Sequence, residues 1–337
     1  MSSNFDEKNL IFLISQPRAG STMLQKILGS HPEIYTVSEP WLLLHPVYAL
    51  RDSGYEAEYD AKLAKTALDS FLNLFPDQKQ VYLETISEVY GKLYQKALDQ
   101  TDKKYFLDKT PRYYHIIPEL AKIFPEAKFI ILLRNPLAVL SSIISTWIVP
   151  HPDRWFYLEN HKDDLFKAPE LLLQGINLLQ DRCLVVHYEK FLENPDIQTR
   201  SICDKLNIPF HQKMLVNDKT NSAQWIFGDK KDPYKTSQPN AKNIVTWQNN
   251  INSPQILKSL NDYLDFLGEE ILTKMGYSYQ ELWQSLQTYH SDYRFLSWTT
   301  LPLEYIVNKP KTYTSNKYRF YKIKLINKLE KKGILNF

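Results

Sequence analysis

One stretch constrains the fold of this chain more than any other: LIFLISQPRAGSTMLQKIL, residues 10–28. Five of its first six residues are apolar, without the alternation of a half-exposed strand, as expected of a strand buried on both faces of a parallel sheet. Met23, Leu24, Ile27 and Leu28 then recur at helical spacing, so a helix starts near Ser21 or Thr22. A helix start presents unpaired N–H groups and the positive end of its dipole. In the turn between, Gly20 allows close approach to the backbone, Arg18 adds charge, and Ser21 and Thr22 add hydroxyls. Together these read as an anion site, best suited to a phosphate. An ordinary turn in which Ser21 merely caps the helix is the alternative. The turn is not a Walker A loop, because the second glycine and the lysine of G-x-x-x-x-G-K-[ST] are missing, which disfavours ATP or GTP hydrolysis.

The rest of the chain repeats the alternation. Strand-like runs fall at 10–14, 34–37, 105–107, 127–133 and 183–187, and helical patterns at 22–29, 61–75, 81–98, 113–124, 137–147 and 196–206. Strands alternating with helices predict an α/β fold whose parallel sheet is covered on both faces. Segments 45–104 and 146–180 are too long for simple crossovers and are expected to form helical cover over the carboxyl ends of the strands, where open α/β sheets bind ligands. The polar stretch 220–255 reads as a long ordered loop of the functional kind.

With 337 residues the chain can form one large domain or two small ones. The net charge of +3 is too small to argue for nucleic acid. Two cysteines give neither a disulfide framework nor a metal quartet, and the eight histidines are scattered, so no metal site is expected. MSSNFDEKNL lacks the regions of a signal peptide, and no apolar run reaches the roughly 18 residues of a membrane span, so a cytoplasmic protein is expected. After about residue 285 the character changes. Residues 308–337 are rich in lysine and aromatics with one acidic residue, which suits a docking tail, a peripheral membrane contact or a dimer element.

AKFIILLRNPLAVLSSI repeats the logic of the first motif. A buried strand ends at Arg134, Asn135 is placed to cap, and Pro136 takes the first helical position, where its missing N–H costs nothing. Ser142 follows the arginine by eight residues, about two turns into the helix. An arginine at a strand end and a hydroxyl on the next helix can grip one phosphate from two sides. A surface arginine and a back-bonding helical serine are the bland alternative. Two such units in one sheet suggest a ligand with two separated anionic groups.

Together, QPRAGSTMLQKIL and FIILLRNPLAVLSSI resemble the cytosolic and bacterial-type sulfotransferases that use 3′-phosphoadenosine 5′-phosphosulfate (PAPS). The first resembles their 5′-phosphosulfate loop and the second their 3′-phosphate motif, with the arginine-to-serine spacing kept. LVVHYEKFLENP, residues 184–195, resembles a third family segment, a strand leading into Y-E-D-L. The likeness runs from about residue 8 to 285, is strong at these motifs, weak in 220–255 and absent from the tail. Arg18 stands where many members have lysine, though the tyrosylprotein and several bacterial enzymes carry arginine. Ala138 and Lys190 stand where aspartates are common.

The resemblance implies a P-loop-like three-layer α/β fold over residues 1–285, with a central, mostly parallel sheet, helical cover over the active site, and an extension at 286–337. It implies in-line sulfuryl transfer from PAPS without metal. Pro17, Arg18, Ala19, Gly20, Ser21 and Thr22 would form the 5′-phosphate turn, with Arg18 stabilising charge on the bridging oxygen. Arg134 and Ser142 would hold the 3′-phosphate, and Tyr188 is either a further nucleotide contact or a core tyrosine. Lys109, at the end of the third strand, resembles the family lysine on the transferring group. Two residues are candidates for the base. Glu39, in HPEIYTVSEPW, is placed like the catalytic glutamate of the tyrosylprotein enzymes and is favoured over His115. Lys235, Lys242 and Trp247 fall where the family closes over the nucleotide. The acceptor is expected to be a small molecule, such as a secondary metabolite, offering a hydroxyl or a nitrogen. The aromatics of 146–160 suggest a lid over it. Another P-loop-like nucleotide-dependent transferase or kinase, and a non-catalytic PAPS-binding module, are the rival readings.

Overall fold

The computed structural model of the protein describes residues 5–37, 39–148, 158–215 and 239–289. Five strands, β1 (Leu10–Ser15), β2 (Ile34–Thr36), β3 (Tyr105–Lys109), β4 (Lys128–Leu133) and β5 (Cys183–His187), form one sheet in the order β2-β3-β1-β4-β5. Every pair is parallel. Between them run helices α1 (Ser21–Gly29), α2 (Leu44–Tyr48), α3 (Ala61–Leu72), α4 (Lys79–Leu98), α5 (Ile117–Ile123), α6 (Pro136–Ile143), α7 (Lys162–Phe166) and α8 (Ala168–Leu179). After β5 come α9 (Tyr188–Glu193), α10 (Pro195–Leu206), α11 (Pro254–Lys274) and α12 (Tyr279–Gln287).

The central strands β1 and β4 are apolar over most of their length because both faces are covered. Phe12, Phe106 and Phe129 point to one side, where they pack in a single core with Leu83, Ile86 and Tyr94 of α4, Leu120 of α5 and Leu172 of α8. The rings of Phe12 and Phe129, partners in the ladder, stack at 5.2 Å. On the other side α1 packs across β1, β2 and β3. The result is a three-layer α/β fold.

Topology fixes where a ligand can enter. The chain leaves β1 toward β2, on one side, and leaves β4 toward β5, on the other. A crevice opens between β1 and β4 at the carboxyl ends, the switch point at which open sheets bind ligands. The register keeps these ends level, with Leu13 beside Lys109, Ser15 beside Leu132, and Leu133 beside His187.

The structure departs from the periodicity in several places. The helix expected over 113–124 is split into a 3-10 turn, Pro111–His115, and α5, with the break at Ile116 before Pro118. The helix expected over 137–147 is α-helical to Ile143 and then continues as a π-helical turn, Ile144–Ile148. Within the long segments 45–104 and 146–180, α4 and α8 lie against a face of the sheet rather than over the strand ends. The boundary expected at 285 falls inside α12. Residues 308–337 lie outside the described residues, among which no helix is long and apolar enough to cross a membrane.

One buried charge ties the layers together at the edge that matters. Asp108, next to last in β3, is fully buried and accepts hydrogen bonds from Tyr94 (2.7 Å), Thr110 (2.8 Å) and Tyr113 (3.2 Å). The Tyr113 hydroxyl in turn accepts from the Leu43 amide at 3.1 Å, so the segment after β2 hangs on the same cluster. Burial, only partly offset by these donors, pushes the Asp108 carboxyl up to about 6. In the unfolded chain an aspartate titrates near about 3.9, so between these values the folded state holds the extra proton. The stability this carboxyl contributes is therefore full below about pH 4 and is lost as pH rises through about 6. Asp108→Asn should remove that dependence. In urea titrations the stability of the wild type relative to the variant should fall by on the order of 2–3 kcal/mol from pH 4 to pH 6.5. A flat difference would contradict the assignment.

Candidate active site

The turn after β1 is held in an unusual backbone. The Ala19 amide donates to the Gln16 carbonyl at 3.2 Å, closing the turn. Arg18 sits at φ 70° and Gly20 at φ 95°. The first is costly for a residue with a side chain, and such strain concentrates at functional sites. Gly20 is required twice over: its φ is left-handed, and the Tyr188 ring occupies the place a Cβ would take. Because Gly20 is also the N-cap, the cap residue itself brings no side chain to the first N–H groups of α1.

The exit of β4 meets this turn directly. Asn135 caps α6 by accepting from the Leu137 amide at 2.9 Å, and Pro136 opens the helix. Arg134 donates from Nη1 to the carbonyl of Arg18 at 2.8 Å, and Arg18 donates from Nε to Ser142 Oγ at 3.1 Å. The Arg134 guanidinium lies 4.4 Å from the centroid of the Tyr188 ring. Its Nε is buried and has no hydrogen-bond partner among the described residues. A charged donor buried this way is costly unless an anion meets it. Arg18, Gly20, Ser21, Arg134, Ser142 and Tyr188 thus gather at the crevice between β1 and β4, with Pro17, Ala19 and Thr22 in the same turn.

The expected closing segment is reached only in part. Lys235 lies outside the described residues. Lys242 is on an exposed 3-10 turn, Ala241–Ile244, that packs on α9. Trp247 is 4% exposed, with its carbonyl accepting from Ser141 Oγ at 2.9 Å. It is a packing residue on α6 in this structure.

Beside the turn, on the β3 side, Lys109 Nζ donates to Glu39 Oε1 at 2.8 Å, and Trp41 Nε1 donates to Glu39 Oε2 at 3.3 Å. The Lys109 side chain is 0% exposed and that of Glu39 16%. Burial pulls the Lys109 ammonium below the usual lysine value, and Glu39 offsets only part of this.

A cluster around Asp164 braces this pair, and the sequence did not point to it. Arg112 grips the Asp164 carboxylate with Nε (2.9 Å) and Nη2 (2.7 Å), Tyr114 donates at 2.8 Å, and His161 Nδ1 lies at 3.1 Å. Gln16, from the turn after β1, donates to the Asp164 carbonyl at 2.9 Å. Burial alone would raise this carboxyl, but the hydrogen bonds of His161 and Arg112 and the guanidinium charge hold it down at about 2. The Arg112 guanidinium lies 5.5 Å from the Trp41 ring. His161 stacks on Trp147 at 4.4 Å, and Trp147 lies 5.5 Å from the Arg18 guanidinium. Asp164 lies in the first turn of a five-residue helix among other charges, and nothing in the sequence separates it from a solvated helix start.

His115 stands elsewhere. Its ring packs on Tyr114 at 4.3 Å, its Nε2 lies 4.0 Å from Asp163, and burial lowers its pKa. Glu39, not His115, is the candidate base that contacts Lys109.

Residues 10–212 match the sequence profile of the "Sulfotransferase family". The nodulation protein NoeE of Sinorhizobium fredii is 27% identical over 304 residues, covering 82% of this chain and 67% of that protein. Protein-tyrosine sulfotransferase 1 of Danio rerio is 28% identical over 219 residues, covering 62% of this chain and 56% of that protein. Among solved structures, the sulfotransferase domain from the curacin biosynthetic pathway superposes with a TM-score of 0.52 at 20% identity, over 80% of this chain and 97% of that one, a likeness of fold. The profile match runs unbroken through the turn after β1, the Glu39–Lys109 pair, the exit of β4 and the Tyr188 ring, and the chain belongs to the sulfotransferase family.

Proposed function

We propose that the protein transfers a sulfuryl group from PAPS to a hydroxyl of a small-molecule acceptor, in line, with Glu39 as the base. The observation that carries the donor reading is the buried, unpartnered Nε of Arg134, next to a turn that already joins Arg18 to Ser142. A 3′-phosphate supplies the acceptor atom that this donor lacks, and the uncapped N–H groups of α1 suit a second anionic group. PAPS, when bound, supplies an activated sulfuryl group and leaves as PAP.

The chain's own residues account for the remaining work. Ser21, Thr22 and the N-terminal amides of α1 bind the 5′-phosphate, and Arg134 and Ser142 bind the 3′-phosphate. Arg18 offers a cation that does not deprotonate, so it stabilises charge on the bridging oxygen without acting as an acid. Glu39 takes the proton of the acceptor hydroxyl. As it does so its charge is neutralised, and the ammonium of Lys109, until then matched by Glu39 at 2.8 Å, is released to stabilise negative charge on the transferring group. Trp41, Trp147 and His161 form an aromatic rim near this pair, which suits a small acceptor with an apolar body. A secondary metabolite is the acceptor class we favour, with a nitrogen nucleophile as the variant of the same chemistry.

PAP should raise the melting temperature strongly and AMP much less, because only PAP reaches Arg134 and Ser142. Equal shifts would reject the 3′-phosphate assignment. On an acceptor found by mass spectrometry of a metabolite extract treated with labelled PAPS, Glu39→Gln should keep PAP binding and lose roughly 10²–10⁴ in turnover, while His115→Asn loses much less. The reverse order would move the base to His115. Lys109 must be charged to act, and its value is lowered, so the alkaline limb of kcat should fall below the ordinary lysine range near about 10.4. In Lys109→Arg that limb should move up. A limb unmoved by this substitution would assign the titration to another group.

A further inference from the structure

Arg134 can hold a phosphate only if no carboxylate takes the guanidinium first, and one stands close by. Glu189 follows Tyr188, whose ring lies 4.4 Å from the Arg134 guanidinium. The charges of both Arg134 and Glu189 act on the hydroxyls of Tyr188 and Tyr277. Left to itself, a carboxylate in such a place would form the bidentate pair that arginine favours. Glu189 forms no such pair, and two donors fix the direction in which its carboxylate points. Oε1 accepts from the Asn135 amide at 2.9 Å, and Oε2 accepts from the Tyr277 hydroxyl at 2.7 Å.

The second of these partners comes from a distant part of the chain. Tyr277 lies between α11 and α12, outside residues 10–212 that match the family. It is delivered by a left-handed Gly276 (φ 86°) against which the His187 ring packs. A side chain at Gly276 would strike that ring. Tyr277 is half-buried, and burial together with the Glu189 charge pushes its hydroxyl well above the ordinary tyrosine value, so it stays protonated and donates to Glu189.

We propose that Tyr277 and Glu189 are positioning residues of the 3′-phosphate site: the Tyr277 hydroxyl, with the Asn135 amide, holds the Glu189 carboxylate off Arg134 and so keeps that guanidinium available for the 3′-phosphate. The inference rests on the PAPS reading above and adds the C-terminal helices to the donor site.

Calorimetric binding of PAP and of AMP to the full chain tests it. In the wild type PAP should bind tighter than AMP. Failure there would reject the donor reading itself, and this inference with it, whatever the variants do. Tyr277→Phe frees one carboxylate oxygen, so the preference for PAP over AMP should drop by about tenfold while AMP affinity holds. Glu189→Gln removes the competing charge yet can still accept from Asn135, so alone it should keep the preference. In the double variant it should restore what Tyr277→Phe lost. Equal weakening of PAP and AMP in Tyr277→Phe, an unchanged preference, or no restoration in the double variant would each overturn the proposal. Should Tyr277→Phe not fold, Glu189→Gln decides alone: loss of the preference in that variant overturns the proposal.

Discussion

The rest of the site depends on one buried charge. Lys109 ends a central strand with a side chain wholly out of solvent, a position in which an ammonium is stable only beside a counter-charge. Glu39 supplies it from the neighbouring strand exit. That requirement fixes where the segment after β2 must run, and two further anchors hold it there: Trp41 on Glu39, and the Leu43 amide on the Tyr113–Asp108 cluster. Asp164 completes the arrangement from the opposite side by orienting Arg112 against Trp41. A polar network this deep is costly if any member is missing, so its members specify one geometry rather than add stability.

The two arginines obey a different logic. Arg18 and Arg134 leave adjacent strands and would repel if their heads met. Instead Arg134 binds the backbone of Arg18, and Arg18 turns to Ser142. Hydrogen bonds hold the two cations at a set spacing at the crevice. The left-handed backbone of Arg18 is the conformational cost of presenting its carbonyl this way.

Much of this could be read from the chain itself. Strands buried on both faces announce themselves as apolar runs, as β1 and β4 do, and all five strands appeared in the sequence within a residue or two of their observed bounds. Glu39, Lys109, Arg18 and Arg134 were legible because each stands at a strand end, and in a parallel sheet these ends converge. Partners that reach the site through tertiary packing were not. Asp164, His161, Gln16 and Tyr277 come from a short helix and turns, where no periodicity marks which side chain points inward. Segment length likewise showed that α4 and α8 needed space but not that they would take a face of the sheet. Trp247, expected in the closing segment, packs on α6, a placement that its position in a polar stretch does not signal.

The π-helical turn at Ile144–Ile148 changes the direction of the side chains that follow α6. Such a turn is an α-helix carrying one extra residue, and each residue added to a helix rotates everything beyond it by about 100°. Here the turn itself carries Trp147, whose ring stacks on His161 and lies 5.5 Å from the Arg18 guanidinium. A chain with one residue fewer at this point would keep α6 intact but swing the indole to another face of the helix, away from His161 and Arg18. Chain length at one position, with no change in any contacting side chain, would then decide which ring stands beside Arg18.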